Sequence, residues 1–160
     1  MKKTNLIGIL LKGLLIFFFF GIEFQSLGLA SEINIVANKM EVMESEGIAV
    51  FTGKVQATRG DMQVFCDKLY VYYTTQEEKK NITKVVALGK VVIYKGKWKA
   101  YAEKAVYYKD QEKLVLEDNP KVWNEKNLVE GDIVVLYFNE DRSEVLSKNE
   151  GRVRARFYLK

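Results

Sequence analysis

The chain has no histidine, one cysteine (Cys66) and one proline (Pro120) in 160 residues. Without histidine, the commonest general base and the commonest metal ligand are both missing. A single cysteine can neither close an intramolecular disulfide nor build a zinc site, so Cys66 reads as a small residue within a strand. Charges of both signs are interspersed, and no basic stripe suited to nucleic acid stands out. Paired carboxylates are the remaining route to catalysis, and Asp67 with Glu103 is the only candidate pair. No enzymatic activity, metal or cofactor is expected. After the first 30 residues no segment has the length and 3.6 period of a helix, and no Ser/Gly-rich linker divides the chain.

The first 30 residues differ from the rest. Lys2 and Lys3 precede an apolar run from Leu6 to Ile22 that includes Phe17, Phe18, Phe19 and Phe20, and Gly28-Leu29-Ala30 supplies small residues where a signal peptidase reads. This is the pattern of a secretory signal. A membrane span needs about 20 apolar residues, and Lys12 interrupts this run at a cost of about 2.5–3.5 kcal/mol if it were central. The residues favour cleavage after Ala30, giving a signal over 1–30 and one domain over 31–160. A retained anchor is the alternative. The leader holds three of the basic residues and one of the acidic ones, so the formal charge of +4 falls to +2 in the remainder.

Two short patterns recur in that remainder. The first is a small residue, a polar or acidic one, then alternating large residues: Ala37-Asn38-Lys39-Met40, Cys66-Asp67-Lys68-Leu69, Ala102-Glu103-Lys104-Ala105 and Gly131-Asp132-Ile133-Val134. The second is Gly53-Lys54-Val55, Gly89-Lys90-Val91, Pro120-Lys121-Val122 and Gly151-Arg152-Val153, with proline where the other copies carry glycine. The two alternate in constant order, which marks an internal repeat of about four units. Each unit reads as strand, turn, strand. Its apolar residues recur every second position, and the polar turns are at 44–47, 74–81, 109–112 and 139–142. One such unit cannot bury its apolar face alone, so neighbours must stack over a shared core. A sandwich or jelly-roll-like cross-section follows.

Parity groups the inward residues. Val55 with Ala57, Val91 with Ile93, and Val122 share a face in the strands of the second pattern. Met40 with Val42, Leu69 with Val71, Ala105 with Tyr107, and Val134 with Leu136 do so in those of the first, with Lys39, Lys68 and Lys104 opposite. Spacing alone leaves two readings, a plain sandwich core or the lining of a groove. It also leaves two for Asn38, Asp67, Glu103 and Asp132, caps of local turns or the mouth of a groove. The aromatic residues Tyr70, Tyr72, Tyr73, Tyr94, Trp98, Tyr101, Tyr107 and Tyr108 could be structural or could stack on sugars, and the strand preference of aromatics favours the former.

From Ile33 to about Val153 the chain resembles the periplasmic lipopolysaccharide-transport bridge family, the LptA/OstA-like proteins. The resemblance is carried by Ile33 through Met40, by Val50-Phe51-Thr52-Gly53-Lys54-Val55-Gln56-Ala57, by Cys66-Asp67-Lys68-Leu69-Tyr70-Val71, by Ala87 through Val91 and by Val129 through Asp132. It implies an all-β fold, an open, twisted β-jelly roll. It implies that acyl chains of lipopolysaccharide lie in a groove lined by Met40, Val42, Val55, Ala57, Leu69, Val71, Val91, Ile93, Tyr107, Val122, Val134 and Leu136. It implies an assembly edge at Ile33 and Ile35, head-to-tail self-association, and two partners: an inner-membrane-anchored jelly-roll subunit and the periplasmic domain of an outer-membrane barrel. The expected location is the periplasm. The competing functions are a membrane-anchored jelly-roll subunit of the same export machine and a structural β-solenoid with no ligand.

Overall fold

The computed structural model describes residues 32–148 and 150–159, and the leader lies outside the described residues. Among the described residues twelve strands form one continuous sheet: β1 (Ile33–Val36), β2 (Lys39–Met43), β3 (Ile48–Arg59), β4 (Met62–Gln76), β5 (Lys79–Lys95), β6 (Trp98–Tyr108), β7 (Lys113–Glu117), β8 (Lys121–Asn124), β9 (Asn127–Glu130), β10 (Ile133–Tyr137), β11 (Arg142–Leu146) and β12 (Arg154–Arg156). All pairings are antiparallel.

The four long strands β3–β6 carry the architecture. Their register shifts between Thr52 and Val55, between Phe65 and Lys68, and between Leu88 and Val91. These bulges line up as a crease that divides the sheet in two. One half-sheet runs β2, the first part of β3, the second part of β4, the first part of β5, the second part of β6, β7, β10, β11. The other runs β1, the remaining parts of β3, β4, β5 and β6, then β8, β9, β12. Bulges bend and twist the strands that carry them. Phe51, Leu69 and Leu116 from the first half-sheet and Val55, Ile93 and Val122 from the second meet in one apolar core. The expected stack of hairpins is thus a single sheet folded along a crease, and the recurring patterns mark the crease.

Backbone conformation explains the first two copies of the second pattern, whereas Gly151 of the fourth has no positive φ. Gly53 (φ +84°) and Lys54 (φ +47°) are both left-handed, as are Gly89 (φ +80°) and Lys90 (φ +48°). Glycine tolerates this geometry without steric cost. In the third unit the left-handed pair is Asp118 (φ +61°) and Asn119 (φ +59°), residue types enriched in that region. The alignment of Pro120 with the glycines is therefore corrected. Pro120 follows the left-handed pair, as Val55 and Val91 do, and like them is almost fully buried.

The turn expected over 74–81 is tighter than the sequence suggested. Strands β4 and β5 pair as far as Gln76 and Lys79, leaving Glu77 and Glu78, both left-handed, as a two-residue connection.

Candidate functional site

The crease fixes the polar residues of the first pattern. The Asn38 backbone N–H donates to the Gly53 carbonyl at 2.9 Å, and a Cβ on Gly53 would lie 2.7 Å from Asn38 Nδ2. The Asp67 carboxylate lies against Gly89 in the same way. Glu103 Oε2 accepts from the Lys90 N–H at 3.1 Å, and the Glu103 N–H donates to the Asp118 carbonyl at 3.1 Å. Asp132 Oδ2 accepts from the Lys148 N–H at 2.6 Å. Asn38, Asp67 and Glu103 pack against or satisfy a bulge, and Asp132 holds the backbone just after β11. Their place is the crease, and capping is the reading the geometry supports over the mouth of a groove. The Glu103 carboxyl is held below the usual range by the Tyr101 hydroxyl, which donates to it, and by the Lys90 N–H.

The inner face carries the residues that parity selected. Leu69, Val71, Val55, Val91, Ile93, Val122 and Val134 are buried in the core, and Ala57, Tyr107 and Leu136 pack against it. Met40 and Val42 pair with Phe51 and Ala49 and so share the inner face, but β2 ends its half-sheet and leaves them 57% and 43% exposed. They lie at an open edge rather than inside. Val91 is 0% exposed beside the crease; the protein itself fills that end of the interior.

Away from the crease the half-sheets part. A cleft of about 380 Å³ opens there, floored by Met62, Ile93, Trp98, Ala100 and Val122 from one half-sheet and by Leu114, Leu136 and Phe138 from the other, with Lys95, Asp141 and Arg142 at its rim. Its size falls in the range of about 300–1,000 Å³ typical of ligand sites. Ile93, Val122 and Leu136 are the parity-selected residues that reach it. Met62, Trp98, Leu114 and Phe138 were missed, although Met62 and Trp98 flank the tight turns that bound β4 and β6.

The outer face has its own apolar row. Val50, Tyr70, Val86, Val106, Val115 and Val135 lie side by side across six strands, and Val50, Val106 and Val135 are buried. Cations cover the tyrosines around them: Lys68 over Tyr70 (5.0 Å), Lys84 over Tyr72 (4.1 Å), Lys113 over Tyr108 (5.0 Å) and Arg142 over Tyr137 (3.9 Å). These rings serve the fold, while Tyr73 and Tyr107 turn inward against the core.

Cys66 is buried on the inner face, and burial pushes its thiol up to about 11. At pH 8 only about one thiol in a thousand is then ionised. Alkylation of the native protein is expected to be far slower than that of the urea-unfolded chain, as thiol mass labelling over time would show; equal rates would place Cys66 in solvent.

Among the described residues no group of His, Cys, Asp and Glu could hold a metal, and no helix is long and apolar enough to cross a membrane.

Comparison with known proteins adds to this geometry. A family model described as LptA/(LptD N-terminal domain) LPS transport protein matches residues 34–142. The lipopolysaccharide export system protein LptH of Pseudomonas aeruginosa is 29% identical over 110 residues, covering 64% of this chain and 61% of that protein. The matched stretch thus spans about three fifths of that relative. The crystal structure of LptH from the same organism, described as the LptA-homologous periplasmic component of the lipopolysaccharide transport device, has a TM-score of 0.72 to this chain at 21% identity. That match covers 81% of this chain and 96% of that one. At that identity the likeness bears on the fold, which is the open, jelly-roll-like sheet expected from the sequence.

Proposed function

Because the chain belongs to the LptA/LptD N-terminal-domain family of lipopolysaccharide transport proteins, we propose that it carries lipopolysaccharide through the periplasm with the acyl chains held between its half-sheets. The family is one of transport proteins rather than enzymes, in keeping with a sequence that offers little for catalysis.

The observation that carries the reading is the apolar cleft, continuous with the buried inner face. Exposing one CH2 to water costs about 0.8 kcal/mol, so an acyl chain in water costs on the order of 10 kcal/mol. A carrier must offer a continuous apolar lining while leaving the sugars in solvent. An alternating sheet does so by geometry: Ile93, Val122 and Leu136 turn inward, while Lys68 and Lys104 turn out. Of the inner-face residues, Ile93, Val122 and Leu136 line the cleft of this proposal and Ala57, Val71 and Tyr107 continue its surface, while Val55, Leu69, Val91 and Val134 pack the closed end at the crease and Met40 and Val42 extend the inner face to its open edge.

In this reading the leader over 1–30 directs export and is removed, leaving residues 31–160 as the carrier domain. Strand β1, with Ile33 and Ile35, is an end strand, and such an edge can accept another strand. Head-to-tail contacts extend rather than close. They would link copies to one another, to an inner-membrane-anchored jelly roll and to the periplasmic domain of an outer-membrane barrel. A retained leader would make the chain an anchored subunit of the same machine. The mass of the exported protein separates the two, since it starts at Ser31 or at Met1.

Lipid extraction tests the main reading. Protein purified without detergent from cells that make lipopolysaccharide is expected to release it on denaturation, as detected by mass spectrometry. Folded protein with no lipid under these conditions would favour the ligand-free structural alternative.

A further inference from the structure

A polar bridge crosses the open side of the interior. Arg59 ends β3 at the part of one half-sheet farthest from the crease, with Ile33 and Met62 as its neighbours across the strands. It shares the parity of Val55 and Ala57 and so turns inward. Tyr107 stands on β6 of the other half-sheet, in the inner row of Val85, Leu114 and Leu136. The Tyr107 hydroxyl donates to Glu112 Oε2 at 3.2 Å. The Arg59 guanidinium comes up to the same hydroxyl from across the gap. Burial and the Glu112 carboxylate push the Tyr107 phenol above its ordinary range, and Arg59 pulls it back.

Both feet of this bridge stand at the margin of the cleft. Met62 and Phe138 line it. Met62 is the register partner of Arg59, and the Phe138 ring lies 6.3 Å from that of Tyr107. The Glu112 carbonyl accepts from the Phe138 N–H at 2.9 Å, and the Glu112 N–H donates to the Lys109 carbonyl at 3.0 Å. Backbone bonds thus fix the turn that presents the carboxylate. The crease joins the half-sheets along one side, and the bridge joins them across the other. The rim cations differ in this respect. Lys95 is held by Asp61 at 3.4 Å, and Arg142 by Glu140 at 2.8 Å and by Glu144, each within its own half-sheet. Arg59 reaches over to the opposite one.

We propose that Arg59, Tyr107 and Glu112 form a clasp across the mouth of the groove, and that a phosphate-bearing lipid headgroup opens it by taking the Arg59 guanidinium for itself. The proposal rests on the carrier reading and adds to it a selection among lipids. A phosphate offers Arg59 two parallel charge-assisted hydrogen bonds, which a phenol hydroxyl cannot match. The exchange leaves Tyr107 to Glu112 and frees the tips of the half-sheets beside Met62 and Phe138, where acyl chains enter. A lipid without phosphate gives Arg59 nothing in return and must break the clasp uncompensated. Specificity is a difference of two affinities, and the clasp acts on it by lowering that of the wrong lipid.

Binding of two probes to the exported protein provides the test: the acylated glucosamine disaccharide of lipopolysaccharide with its phosphates, and the same lipid after their enzymatic removal. The fluorescence of Trp98, which lines the cleft, follows both titrations. Wild type is expected to bind the phosphorylated probe about tenfold more tightly. Arg59→Gln is expected to weaken the phosphorylated probe by about threefold and to tighten the other by about threefold, which erases the preference. Tyr107→Phe releases the clasp but keeps Arg59, so both probes are expected to tighten by about threefold with the preference intact. Arg59 is exposed, and its variant is expected to unfold at the wild-type temperature. An Arg59→Gln variant that leaves the dephosphorylated probe unchanged overturns the proposal, since Arg59 would then be a plain phosphate ligand. Equal binding of both probes by wild type overturns it as well and leaves the carrier reading standing. Folded wild type that binds neither probe removes the carrier reading, and the clasp with it.

Discussion

Gly89→Val is expected to destabilise the protein by about 3 kcal/mol or more, lowering the thermal midpoint by on the order of 10 °C. Two effects add. Gly89 sits at φ +80°, where a β-branched residue is strained, and its Cβ would run into the Asp67 carboxylate. Rotating the exposed Asp67 carboxylate does not relieve the clash, because the Asp67 Cβ would itself lie 2.9 Å away. Gly60→Val is the control. Gly60 also has positive φ (+57°), but its Cβ would meet nothing within 4 Å. The difference between the two variants, measured by thermal unfolding followed in the far ultraviolet, isolates the crowding at the crease. Equal losses would mean that backbone conformation alone matters and that Asp67 does not brace the bulge.

Leu136→Glu is expected to reduce bound lipopolysaccharide by about ten- to a hundredfold. A leucine side chain is worth about 1.5–3 kcal/mol when fully buried, and each 1.4 kcal/mol is a factor of ten in binding. A carboxylate in the cleft adds the desolvation cost of a charge facing hydrocarbon. Leu136 is half-buried, on the cleft wall opposite Ile93 and Val122, so its substitution spares the tightest core around Leu116 and Val91. Lys68→Glu, on the outer face, is expected to leave bound lipid unchanged. Lipid per folded chain, quantified after detergent-free purification, reads both variants. Equal loss in both would point to a general fault of the fold, and equal retention would remove Leu136 from the binding surface.

The fold was legible because its least common device is also its most repetitive. The bulges of this crease use a left-handed residue pair with a polar side chain packed against it, so Gly53-Lys54 with Asn38 and Gly89-Lys90 with Asp67 recur as short patterns. The same logic misled at Pro120, because Asp118-Asn119 provides the left-handed pair without glycine and shifts the true equivalence by two residues. Parity gave the inner face correctly, since a period of two leaves little ambiguity once one face is buried. It could not tell a strand in the middle of the sheet from one at its edge, so Met40 and Val42 were grouped with Leu69 and Val134 although β2 leaves them open to solvent. The covered outer row of Val50, Val106 and Val135 was also missed. Its signal is present in Ala49-Val50-Phe51, Ala105-Val106 and Val134-Val135, where both parities are apolar, the mark of strands covered on both faces. The division of the interior into a packed crease and an open cleft depends on how far the half-sheets diverge, which no local pattern encodes.

That division determines where a probe should go. Val91 is sealed in the crease, and a photoreactive residue there would meet the protein itself. Leu136 faces the cleft, and Lys68 faces outward with its ammonium 5.0 Å from the Tyr70 ring centroid. The decisive measurement is photo-crosslinking from positions 136 and 68 in cells that make lipopolysaccharide. An adduct with lipopolysaccharide from position 136 and none from position 68 is the expected result. A folded, exported protein that gives no adduct from position 136, or equal adducts from both, would contradict the claim that the space between the half-sheets holds the lipid.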